Sequence, residues 1–133
     1  MTDASTILGA FNNQFSALLD DITLVFPEDI EIATAKKSFA MIRKANPKML
    51  IKVWNTVIVS KFDKEIESGD ISFFINKDYS NEFTNLDEND KIMTHIDRLR
   101  EPIKNMSSEN QGKTMKYIQN ITKLCKVYFS MTN

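Results

Sequence analysis

Residues 4–29, ASTILGAFNNQFSALLDDITLVFPED, decide the fold class. Leu8, Phe11, Phe15, Leu18, Leu19, Ile22 and Val25 recur at steps of three and four, so on a helix they fall on one apolar stripe. Thr2 or Asp3 can cap its start. Pro27 stops it, because proline lacks an amide donor and disfavours the helical region for Phe26. Glu28 and Asp29 then place negative charge at the positive dipole end of a second helix.

Outward from this stretch the same period continues. Ile32, Ala35, Phe39 and Ile42 line a second stripe that ends near Ala45. Asn46 and Pro47 mark a boundary, with Asn as a cap and Pro at the first helical position. Leu50, Val53, Trp54, Val57, Ile58, Phe62 and Ile66 carry a third helix to Gly69, which suits a C-terminal cap. Asp70 to Ile75 reads as a short capped turn, and Asn76 to Asn81 is turn-rich. A fourth long helix runs from about Asp87 to Ile103, and Pro102 should terminate or kink it. Ser108-Glu109-Asn110-Gln111 matches a capping box for a last helix through Met115, Ile118, Ile121, Leu124, Cys125, Tyr128 and Phe129. The expectation is an all-α fold: residues 1–133 form one domain, a compact bundle of about four to six helices whose core includes Phe15, Leu18, Phe39, Leu50, Trp54 and Ile118.

Composition sets the exclusions. Of the 133 residues 42% are hydrophobic, enough for a core, so a wholly disordered chain is excluded. One cysteine leaves no internal disulfide and no multi-cysteine zinc pattern. No apolar run approaches the roughly 20 residues that span a bilayer, and the start, MTDASTILGAF, lacks the basic residue of a secretory signal.

Charge is unevenly dealt. Residues 1–35 hold six acids and no Lys or Arg, and successive blocks at 1–35, 36–64, 65–97 and 98–133 carry −6, +7, −7 and +5. Two readings follow: neighbouring helices with complementary surfaces, or acidic and basic faces that orient the molecule on a partner. A net charge of −1 argues against a nucleic-acid partner, although the basic middle block around Trp54 keeps that reading in view.

Catalytic and ligand motifs fail at required positions. His95, the one histidine, has Asp97 two residues away on a different helix face, so no base–orienter pair forms and an exposed or capping role is expected. Cys125 falls on an apolar stripe and reads as a buried structural thiol. Gly112-Lys113-Thr114 resembles the end of a phosphate loop, but Ser107 stands where its first glycine belongs. Asp87 to Ile92 begins like a calcium loop, but Lys91 takes a ligand position and Ile92 the turn glycine. The expectation is no enzyme, no small-molecule substrate, no cofactor and no metal. Phe73 and Phe74 remain, either a plug under a loop or an anchor for another chain.

Phe11-Asn12-Asn13-Gln14-Phe15, Val25-Phe26-Pro27-Glu28-Asp29, Lys44-Ala45-Asn46-Pro47 and Ser72-Phe73-Phe74-Ile75-Asn76-Lys77-Asp78-Tyr79 follow one another in an order that resembles small helical proteins of the large nucleocytoplasmic DNA viruses, including those infecting algae. The resemblance covers residues 10–82. It implies a virion component, a minor capsid protein contacting other capsid or virion proteins, located in the virion and in the host cytoplasm during assembly, and it carries over no catalytic residue. The partner-binding candidates are Phe73 and Phe74 as apolar anchors with Lys36, Lys37, Arg43 and Lys44 as the steering cations. The alternative is a non-enzymatic adaptor or regulatory protein that binds a viral or host protein in the infected cell.

Overall fold

A computed structural model describes residues 3–75 and 88–132. Among them there is no strand; the protein is an all-α bundle. Its elements are α1 (Ala4–Val25), α2 (Ile30–Ala45), α3 (Met49–Val53), a π-helical segment (Trp54–Val59), α4 (Ser60–Ser68), α5 (Ser72–Ile75), α6 (Glu88–Arg98), α7 (Arg100–Lys104) and α8 (Ser108–Thr132). The turn-rich reading of Asn76 to Asn81 and the proposed helix start at Asp87 lie outside the described residues.

Local chemistry explains most boundaries. The Asp3 carboxylate accepts from the Thr6 amide, 2.8 Å away, and this bond holds the Asp3 pKa below the usual carboxylate range. Asp29 caps α2 by accepting from the Ile32 amide. Gly69 closes α4 with φ of 80°, a left-handed conformation that a Cβ would strain.

Two boundaries differ from the sequence reading, and a third agrees with it. Pro47 is not the first residue of a helix: the Asn46 side chain accepts from the Lys48 amide and α3 starts at Met49. The cap of α8 is Ser107, whose hydroxyl accepts from the Asn110 amide, so Gln111 is free to donate to the carbonyls of Ile103 and Lys104 instead of closing a box. Pro102 interrupts the expected helix, as the sequence reading has it. The amide it lacks would have paired with the Arg98 carbonyl, so α6 ends at Arg98, the chain turns at Leu99, and Pro102 lies within the short α7 that follows.

Cross-contacts give the directions of packing. Asp20, Phe15 and Asn13 of α1 meet Lys36, Phe39 and Arg43 of α2 in turn, so the two form an antiparallel hairpin. Asp63 and Ile66 of α4 meet Lys126 and Gln119 of α8, again in opposite senses. The apolar stripes converge on one cluster in which Phe11, Ile22, Ile32, Ile51, Ile58, Ile96, Ile103 and Ile121 are almost wholly buried. Phe15 is the hinge of that cluster. Its ring packs edge-on to both Phe39, at 4.8 Å, and Trp54, at 5.9 Å.

Two buried polar side chains inside the cluster are paired over long sequence separations. Trp54 Nε1 donates to Thr122 Oγ1 across 68 residues of sequence, at 3.1 Å, and the buried Asn12 amide donates to the Pro47 carbonyl. The six expected core residues, Phe15, Leu18, Phe39, Leu50, Trp54 and Ile118, are all buried. The β-branched run Val57-Ile58-Val59 stays helical but widens into the π-helical segment, and Phe62 just beyond it departs from helical backbone. That widening lets Trp54, Ile58 and Ile66 all turn inward from a chain path that is not one straight helix.

Candidate docking surface

The sequence singled out six contact residues, and the structure separates them into two groups. Phe73 and Phe74 are core. They are 9% and 5% exposed, Phe73 lies 5.2 Å from the Phe62 ring, and α5 packs against α7. Asp70 fixes this turn by accepting from the Ser72 hydroxyl and amide, which also lowers its carboxyl pKa. Buried rings cannot anchor another chain while the fold is intact, so the anchor assignment is corrected to a plug.

The four cations lie on α2. This helix buries Ile32, Ala35 and Phe39 against α1, α3 and α6. At 100° per residue the opposite side carries Ile30, Thr34, Lys37, Met41 and Lys44, all exposed, flanked by Ala33 and Ala40. Lys36 is tied back to Asp20 at 2.8 Å, and the Arg43 guanidinium donates to Asn13 Oδ1 at 2.7 Å. Both therefore help hold the α1–α2 hairpin. Lys37 and Lys44 have no ion-pair partner among the described residues and point outward.

What sequence reasoning missed is the apolar content of that outward stripe. Ile30 is 79% exposed and Met41 68%, and Leu24, 79% exposed, stands at the end of α1 just before the turn into α2. These are the three most exposed large apolar side chains among the described residues. Single exposed apolar residues are ordinary, but two on one outward stripe, with small alanines beside them, leave a helix face that water does not favour. The missed signal was present: 30, 34, 37, 41 and 44 share helical spacing directly opposite 32, 35, 39 and 42.

The ends of α2 carry opposite charge. Glu28, Asp29 and Glu31 stand at its start and Arg43 and Lys44 in its last turn, so side chains and the helix dipole agree at both ends. Glu31 is paired with Arg98 of α6 at 3.3 Å, whereas Glu28 has no ion-pair partner among the described residues.

The remaining titratable candidates sit elsewhere. His95 of α6 is half-buried with its ring 5.9 Å from that of Phe39, in place of the exposed or capping role expected for it. Burial, then the Arg98 charge, lowers its pKa, and Glu31 opposes them. The Cys125 thiol is buried against the Ile51 carbonyl, and burial pushes its pKa up to about 12. Among the described residues no group of three or more His, Cys, Asp and Glu is placed to hold a metal ion, and no helix is long and apolar enough to cross a membrane. No known protein family, curated protein or solved structure matches the chain.

Proposed function

We propose that this protein is a non-enzymatic docking component of a larger assembly, and that the outward stripe of α2 is its contact surface. The observation that carries the reading is the exposure of Ile30 and Met41 on the side of α2 opposite its buried residues. A stable contact needs an apolar centre, and charges around it guide approach more than they tighten it. Ile30 and Met41 supply the centre, and Glu28, Lys37 and Lys44 supply the surrounding charge. The resemblance of residues 10–82 to small helical proteins of the large nucleocytoplasmic DNA viruses implies a particle as the setting, with a minor capsid role among other capsid or virion proteins. Expression of tagged wild-type and Met41→Glu chains during infection, followed by purification of particles, tests the proposal. Wild-type chain should be recovered at fixed stoichiometry and the variant at several-fold lower yield, with its helix content unchanged by circular dichroism. Equal recovery of the two would contradict it.

A further inference from the structure

We infer that the outward stripe of α2 pairs with the same stripe of a second copy of this chain, the two α2 helices antiparallel about a two-fold axis. The inference rests on the docking role proposed above and names the partner.

Charge complementarity selects the partner. Glu28 and Asp29 stand just before α2 and Glu31 lies in its first turn, while Arg43 and Lys44 lie in its last turn. A helix acidic at one end and basic at the other is complementary to itself when reversed, and its dipole is then reversed as well. Two-fold pairing uses one patch twice, which is the commonest way that soluble chains associate. No second protein of matching pattern is required.

The register follows from the apolar residues. Setting Ile30 of one copy opposite Met41 of the other places the axis between Ala35 and Lys36. Thr34 then faces Lys37, and Glu28, in the turn just before α2, falls opposite Arg43 and next to Lys44 at each end. The alanines at 33 and 40, both exposed, let the helices approach to the ~8–10 Å of ordinary helix packing. Ile30 and Met41 each lose water on pairing, and both free end charges gain a partner. Lys37 lies near the axis, where its stem covers apolar surface while its ammonium extends to water.

The strength expected is modest. Sixteen residues make a helix of about 24 Å, so the paired face falls below the ~1,200–2,000 Å² of a standard interface. Association should be reversible across the micromolar to millimolar range.

Sedimentation equilibrium of the full chain, from about 10 µM to about 1 mM in reducing buffer, tests this. The wild type should fit a monomer–dimer equilibrium. Met41→Glu should weaken it by at least about tenfold, and Glu28→Lys or Lys44→Glu alone by several-fold. The double variant Glu28→Lys/Lys44→Glu should restore it to within about twofold, because the exchanged charges still meet across the axis. All three sites are exposed, so far-ultraviolet circular dichroism should be unchanged throughout. A wild type that stays monomeric to 1 mM, or a dimer that the double variant fails to restore, would overturn the pairing. If the wild type is monomeric while Met41→Glu still reduces recovery in particles, self-pairing fails and the docking role stands. If the dimer forms as described and recovery is indifferent to Met41, the docking role in particles fails and the pairing stands.

Discussion

Phe73 and Phe74 on α5, and Ile30 and Met41 on α2, exchange the places that residue type suggests. The aromatic pair sits in an irregular polar stretch that invites a recognition role, yet it is buried against Phe62 and α7. The aliphatic pair sits in a regular helix that suggests core, yet it faces out. Hydrophobicity alone therefore does not locate a contact surface; the direction in which a helix turns its stripe does. α5 is only four residues long and gains its stability from the rings it buries. α2 already buries Ile32, Ala35 and Phe39, so its outward residues are not needed for the fold.

The largest test of that contrast is truncation of the aromatic pair. Phe74→Ala should cost about 3–5 kcal/mol of unfolding free energy in urea, as for a phenylalanine removed from a packed core. A cost below about 1 kcal/mol would return Phe74 to the surface. Next in size is Trp54→Phe, which keeps a ring beside Phe15 but strips the donor from Thr122. The buried hydroxyl then lacks its partner, and about 1–3 kcal/mol should be lost on urea unfolding; Trp54→Phe/Thr122→Val should recover part of it, and a double variant no more stable than the single would count against the bond.

The aliphatic pair should behave in the opposite way. Ile30→Ser and Met41→Ser should each change urea stability at low protein concentration by no more than about 0.5 kcal/mol. A loss comparable to that of Phe74→Ala would show that the stripe is covered within the monomer.

The smallest effect concerns the contact of α6 with α2. Because the His95 pKa is lowered in the folded state, the unfolded chain binds the proton more readily. Stability should be complete above the ordinary histidine value near 6.5, decline as pH falls below it, and level off beneath the lowered folded value. His95→Gln should remove this segment of the pH–stability curve; an unchanged curve would rule out His95 as its source.

Legibility in the sequence followed the physics of each feature. The stripes of α1 and α8 could be read because burial repeats every three or four residues over 22 and 25 residues. The cap of α8 moved by a residue because Ser107 and Ser108 compete and differ little in energy. The start of α3 falls two residues past Pro47 because Asn46 accepts from the Lys48 amide in a turn instead of capping a helix. The π-helical widening at Trp54–Val59 comes from tertiary packing of Trp54, Ile58 and Ile66, which no local pattern encodes. The cations of the docking surface were legible as a charge block. Ile30 and Met41 were not, since an outward apolar residue is recognised only after the inward face is known. The burial of Phe73 and Phe74 depends on Phe62 and α7, distant partners that residue type does not announce.

The central claim is that Met41 lies in a contact and the internal methionines do not. Methyl NMR of the seven methionines, followed as the chain is concentrated from about 10 µM to about 1 mM, tests it directly. The Met41 methyl should shift progressively with concentration, while those of buried Met106 and Met115, and of Met131 exposed on α8, stay fixed. A stationary Met41 resonance, or movement at Met131 instead, would contradict the account.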